Sequence, residues 1–180
     1  LSEYGYTLWQ SGIAQELREH FAVDFLRDNM SDADKENLSS EFLINNTNLA
    51  FDAFDKAPWR NNVSHEMFLN YVLPYAQLNE QREDWRAELR DIATPMIAGC
   101  DTPTAAAMAL NEKLFSALNV KYSTKRNRAD QAPSETIETG LASCTGLSIL
   151  LADACRAVGV PARVAGIAEW PDGEGNHTWV

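Results

Sequence analysis

The chain has 180 residues, of which 45% are hydrophobic and 23% charged, a composition typical of a globular protein. Its net charge of −11 argues against nucleic acid or an anionic membrane surface as the main partner, and no apolar run approaches the ~20 residues that a membrane span needs. The three cysteines leave at least one thiol free, which excludes a fold built on a disulfide framework.

The first half of the chain predicts a series of helices. Apolar residues recur every three or four positions and alternate with charged ones. Ser64 begins half of a capping box, and Pro74 should end or kink the helix that follows it. The predicted helical stretches are residues 1–30, 34–54, 64–74 and 78–97.

The second half mixes helices with short strands. A break at residues 99–103 precedes an Ala-rich helix at 104–118, a short strand at 120–123 and a long polar connection at 124–139. An apolar run then predicts a buried helix, ended by glycine and proline at positions 159 and 161. The last predicted elements are strands at 162–170 and 177–180, separated by a turn at 171–176.

The chemistry points to Cys144 and His177. Cys144 opens the buried helix, and a helix N-terminus stabilises the thiolate, the reactive form of cysteine, through unpaired N–H groups and its dipole. His177 opens a strand just past the turn, where a histidine can take the thiol proton and return it to a leaving amine. The spacing leaves room for one helix and one strand to bring the two together.

Three stretches around this pair resemble the transglutaminase-like superfamily. They are Gly140-Leu141-Ala142-Ser143-Cys144, then Gly159-Val160-Pro161-Ala162-Arg163, and finally His177-Thr178-Trp179-Val180. The family's core reads Gly-x-Gly-x-Cys, a helix, Gly-(Ile/Val)-Pro-Ala-Arg, a strand and His-(Ala/Thr)-Trp-Val, so the similarity covers roughly residues 104–180. Ala142 stands where the family often has glycine.

The resemblance implies an α+β fold in which a helical N-terminal region, residues 1–98, precedes a papain-like core, residues 99–180. In that core the Cys144 helix packs on an antiparallel sheet. Cys144 is the implied nucleophile and His177 the implied base of an acyl transfer on peptide or protein amides through a thioester. Similarity to bacterial members favours hydrolysis over cross-linking. The family's third catalytic residue, usually an aspartate, is expected on the next strand, beyond Val180, so the chain ending at Val180 is expected to turn over poorly.

Simpler interpretations exist for several of these residues. Cys144 alone would read as a buried structural thiol, as Cys155 does in mid-helix. Trp59, Trp170 and Trp179 are predicted in the core, although a cleft could also use them.

Other positions around the pair leave their roles open. The basic cluster at residues 125–128 is predicted as a solvated loop, with a lip that contacts substrate as the alternative. Gln131 is a candidate oxyanion donor only because it lies on the way to Cys144. The alternative to an enzyme is a non-catalytic binding module on the same scaffold.

No cofactor is indicated. The histidines are far apart in sequence and there is no Cys-x-x-Cys, so no metal site is predicted. The predicted partner is a peptide or protein substrate, with no nucleic acid, and the oligomeric state stays open. The chain begins at Leu1 and not at methionine, which leaves a secreted or periplasmic location after removal of a signal segment open.

Overall fold

The computed structural model describes residues 15–171, 173 and 175–180. Predictions for the first 14 residues, and for Asp172 and Glu174 in the turn, lie outside the described residues. The helices are α1 (Gln15–Asn29), α2 (Asp32–Asn37), α3 (Ser40–Lys56), α4 (His65–Tyr71), α5 (Arg86–Ala93), α6 (Pro103–Ala117), α7 (Pro133–Thr139) and α8 (Cys144–Ala157), with 3-10 turns at Arg60–Asn62 and Thr94–Ile97. The strands are β1 (Lys121–Tyr122), β2 (Leu141–Ala142), β3 (Ala165–Ile167) and β4 (His177–Trp179).

Serine caps explain where the early helices begin. Ser31, Ser39 and Ser64 each accept a hydrogen bond from a backbone N–H three residues further on, which satisfies one of the unpaired donors of the first turn. The cap at Ser64 confirms the sequence prediction. The single helix predicted from Asp34 is wrong, because the extra cap at Ser39 divides the stretch into α2 and α3.

Two further stretches differ from their prediction. Residues 78–85 are not helical, because the carboxylate of Glu80 accepts from the N–H groups of Gln77 and Leu78 while Arg82 donates to nearby carbonyls. These side-chain hydrogen bonds take the place of the backbone i→i−4 hydrogen bonds that a helix would form. The connection at 124–139 contains a helix, α7, which ends at Gly140 in a left-handed conformation with φ of 65°.

The core surrounds α8. Almost every residue of this helix from Ser148 onward is buried, and it packs against α3, α5, α6 and α7. One apolar cluster runs from Phe51 and Leu89 in the first half to Leu110 and Leu150 in the second. The predicted domain boundary between residues 98 and 99 stays a prediction, and the core is continuous across it.

Two small sheets flank α8. β1 and β2 are parallel, with Lys121 opposite Leu141, whereas β3 and β4 are antiparallel, with Gly166 opposite Thr178. α8 lies against β4, so the α+β class and the packing of the cysteine helix against an antiparallel sheet are confirmed.

Candidate functional site

The N-terminus of α8 presents Cys144. Ser143 is the N-cap, and its hydroxyl accepts from the N–H of Gly146 at 3.0 Å. Helix geometry leaves the N–H groups of Cys144 and Thr145 without intrahelical acceptors. The Cys144 side chain is partly exposed. A partly exposed thiol with an adjacent backbone donor therefore lies at the edge of the core.

The β3–β4 hairpin presents His177. A Cβ added to Gly166 on β3 would lie 2.9 Å from the carbonyl oxygen of His177, so glycine permits the close approach of the two strands. The His177 side chain is exposed, and its ring lies between Trp170 and Trp179, with centroid distances of 6.5 and 5.9 Å.

One groove contains both side chains. It has a volume of about 460 Å³ and lies between α6, one face of α8 and β4. Its walls are mainly apolar, and no Asp, Glu, Lys or Arg is among the described residues that line it. The lining residues are Ala107, Met108, Asn111, Phe115, Cys144, Leu147, Ser148, Leu151, Cys155, His177, Thr178, Trp179 and Val180.

The residues that follow the pair are bonded to each other. The hydroxyls of Thr145 and Thr178 are 3.0 Å apart, which fastens the first turn of α8 to β4. Side chains alternate along a strand, so His177 and Trp179 share one face of β4 and Thr178 lies on the other. Among the described residues no hydrogen bond joins the Cys144 sulfur to the His177 ring. Cys144 and His177 therefore line one groove, but Thr178, and not His177, is on the face of β4 that is bonded to the first turn of α8.

The other two cysteines have different surroundings. Cys155 is 1% exposed at the floor of the groove, and burial raises the pKa of its thiol to about 12. A thiol with that pKa stays protonated and unreactive near neutral pH. Cys100 is partly buried in the loop before α6, away from the groove.

Gln131 does not lie in the groove. Its side chain is fully buried, and its amide donates to the hydroxyl of Thr139 at 3.3 Å. Its role as an oxyanion donor stays a sequence-based hypothesis.

Three site features were missed or mispredicted from the sequence. Trp59 is buried as predicted, but Trp170 and Trp179 are 41% and 44% exposed, so their assignment to the core is wrong. The Thr145–Thr178 bond and the wall that α6 contributes were not predicted. Because side chains alternate along a strand, the sequence could have predicted that residues 177 and 179 lie on the same face of β4. The lining that α6 contributes to the groove could not be predicted locally, because it depends on how distant segments pack.

The remaining histidines lie elsewhere. His20 is exposed on α1 and lies 3.4 Å from Asp24, and the His65 ring at the start of α4 contacts the Phe21 ring at a tilted angle. Within residues 15–171, 173 and 175–180, no group of three or more His, Cys, Asp or Glu side chains could hold a metal ion. No helix in the same part of the chain is long and apolar enough to cross a membrane.

Comparison with known proteins identifies a family for the second half. The model of the Transglutaminase-like superfamily matches residues 90–180, beginning upstream of the stretch that the motifs covered. Neither the curated proteins nor the solved structures contain a match.

Proposed function

Because this chain belongs to the transglutaminase-like superfamily, we propose that it carries out acyl transfer on peptide or protein amides through a thioester on Cys144. Hydrolysis, as in a peptidase or amidase, is the proposed outcome. The observation that carries the proposal is the shared groove: Cys144 at the start of a helix and His177 on the adjacent strand line the same cavity.

The proposed reaction follows from these positions. The Cys144 proton passes to His177, directly or through one water, and the thiolate attacks the amide carbon. The N–H of Cys144 donates to the oxyanion that forms. The C–N bond breaks as the amine takes the proton from His177, leaving a thioester. Water then attacks the thioester while giving a proton to His177, and the C–S bond breaks as the Cys144 sulfur takes that proton back, which releases the acid and restores the thiol and the neutral histidine.

The proposed reaction requires the Cys144 sulfur and the His177 ring to come together when substrate binds. Catalytic hydrogen bonds are commonly long before substrate binds and shorten in the Michaelis complex. The Thr145–Thr178 bond limits how far β4 can move from the helix start. We therefore assign the proton transfer to the substrate-bound state.

A binding module is the second candidate, and one observation favours it. His177 lies between two exposed tryptophans and has no hydrogen bond to Cys144 among the described residues. Exposed aromatic rings beside an apolar groove also suit peptide binding without chemistry. This function needs no reactive thiol.

Competitive labelling separates the two candidates. We expect iodoacetamide at neutral pH to modify Cys144 faster than Cys100, with no labelling of Cys155 before unfolding, as read by mass spectrometry of short reactions. His177→Gln should slow the labelling of Cys144. Labelling of Cys144 no faster than that of Cys100, and unchanged in His177→Gln, would favour the binding module.

Turnover provides the second test. Hydrolysis of a peptide library, with release of ammonia or a new N-terminus as readout, should disappear in Cys144→Ala. Cys100→Ala is the matched control and should retain it. Turnover that survives Cys144→Ala would contradict the assignment of the nucleophile.

A further inference from the structure

We propose that the loop at residues 124–128, hereafter the basic loop, binds an anionic side chain of the substrate next to the amide that Cys144 attacks. Acidic peptides are then the preferred substrate class. The inference deepens the proposed function and rests on it for the reaction, but the anion site can be tested without turnover.

Both ends of the basic loop are fastened beside Cys144. At its start, the N–H of Ser123 donates to the carbonyl of Ala142 at 2.8 Å. At its end, the hydroxyl of Ser143 donates to the carbonyl of Ala129. Ala142 and Ser143 are the two residues directly before Cys144. The loop therefore leaves and rejoins the protein at the start of α8.

Two of the three cationic side chains in the loop have no ion-pair partner among the described residues. Arg128 forms an ion pair with Glu135 at 3.1 Å, and Asn127 donates to the other oxygen of that carboxylate. Lys125 is exposed and Arg126 partly exposed, and neither forms an ion pair among the described residues. Arg126 donates to the carbonyl of Thr124 within the loop.

The surroundings make these charges distinctive. The chain has a net charge of −11, and several other surface cations are paired, as Lys35 is with Asp32 and Lys56 with Asp52. Lys121, exposed on β1 just before the loop, has no ion pair among the described residues and adds to the same positive patch. Asp130, partly exposed, lies two residues after the end of the loop. An anionic ligand is repelled by most of such a surface, so a cluster of unpaired cations favours its binding there.

The groove and the basic loop offer different chemistry. The groove has no charged lining residue and suits an apolar side chain, whereas the loop supplies cations on the side of Ala142 and Ser143. Two unpaired cations suit one or two carboxylates of a peptide. Nucleic acid is the less favoured ligand, because its affinity depends on neutralising many phosphates.

Two alkylating reagents measure the local potential at Cys144. Iodoacetate is an anion and iodoacetamide is neutral. The rate with iodoacetate divided by the rate with iodoacetamide therefore reports the charge around a thiol, and positive charge raises it. We expect this ratio to be higher at Cys144 than at Cys100 and to fall with added salt. Lys125→Gln/Arg126→Gln should lower it by about twofold to tenfold, the scale of two exposed charges.

The matched control removes two charges elsewhere. Lys35→Gln/Lys56→Gln has the same net charge as the loop variant. Lys56 is the last residue of α3, whose end lies near Gly159 just past the C-terminus of α8. Because α8 has 14 residues, its C-terminus is roughly 20 Å from Cys144. We expect the control to leave the rate ratio at Cys144 unchanged. Equal ratios at Cys144 and Cys100, or equal effects of the two double variants, would overturn the inference.

Peptide turnover completes the test. Two peptides with the same scissile amide, one flanked by glutamate and one by glutamine, should differ in kcat/KM in favour of glutamate, and the loop variant should remove the difference. Turnover without such a preference would overturn the inference and leave the proposed function intact. No turnover of either peptide, with the alkylation ratios as expected, would reject the proposed function and keep the anion site. Inhibition of the alkylation by a single-stranded oligonucleotide, but not by the glutamate peptide, would overturn the choice of ligand.

Discussion

Replacing Arg86 with methionine tests how the helices before the family core are held to α8. Arg86 is buried on α5, and its guanidinium bridges several segments of the chain. It donates to the side-chain oxygen of Asn46 at 2.6 Å and to the carbonyls of Val72 at 2.6 Å, Leu73 at 2.8 Å, Pro74 at 3.1 Å and Arg156 at 3.3 Å. Methionine fills similar space without donating, so the substitution isolates the hydrogen bonds.

The loss of stability in Arg86→Met depends on which of these acceptors would still receive a hydrogen bond from another donor. The carbonyls of Leu73, Pro74 and Arg156 each accept a second hydrogen bond that the substitution leaves in place. The Asn46 oxygen and the Val72 carbonyl lose the donor described here, at about 1–3 kcal/mol for each buried group. Burial lowers the pKa of Arg86 to about 9, a sign that keeping the cation inside is itself costly, and methionine removes that cost. We therefore expect the free energy of unfolding to fall by about 2–4 kcal/mol.

Urea unfolding monitored by tryptophan fluorescence measures the change. Arg90→Met is the matched control on the same helix, because Arg90 is part-exposed and pairs with Asp52 at 2.7 Å, an interaction worth about 1 kcal/mol or less. The reasoning is refuted if Arg86→Met loses no more stability than Arg90→Met at equal m-values.

Three further predictions concern the hairpin, a buried acid and the end of α8. Gly166→Ala should separate β3 from β4, because the added Cβ meets the His177 carbonyl. We expect the free energy of unfolding, measured by thermal unfolding, to fall by about 1–3 kcal/mol and the labelling of Cys144 to slow. Burial raises the pKa of Asp153 to about 7, above its unfolded value of 3.8, so its stabilising contribution is present below pH 4 and lost as pH rises to 7. Asp153→Asn should therefore gain stability relative to the parent as pH rises through that window, and a constant difference in unfolding free energy would contradict this. Trp59→Phe should cost about 1–3 kcal/mol in urea unfolding, because the buried Gly159 carbonyl loses the indole donor at 2.9 Å; a loss below 0.5 kcal/mol would show that the bond matters little.

Local signals predicted much of the candidate site. The cysteine at a helix start, the glycine that ends the helix and the histidine on the last strand can each be inferred from a few neighbouring residues, and the structure has these elements in that order. The catalytic roles of Cys144 and His177 remain predictions, because a role depends on distance and orientation between side chains that lie far apart in sequence.

Other features required the packed chain. Glu80 prevents a helix at residues 78–85 by binding backbone N–H groups, and nothing in the local spacing marks this carboxylate as buried. Trp170 and Trp179 read as core residues by their apolarity, but a two-stranded hairpin has only one face against α8 and leaves both rings largely exposed. The fixed ends of the basic loop depend on hydrogen bonds to residues about 15–20 positions later, with separations that vary too freely to be read from sequence.

The sequence by itself predicted some helix boundaries, such as the cap at Ser64 and the end of α8 before Gly159, because caps, glycines and prolines act within one turn of the chain. It also determined that one cysteine opens a helix while another lies inside it. Only the tertiary structure decided that Cys144 reaches a groove and Cys155 has its thiol pKa raised by burial, since exposure depends on α6 and β4, which come from distant parts of the chain. The same packing brought an uncharged groove and both ends of the basic loop to the start of α8, because hydrogen bonds from distant residues meet there.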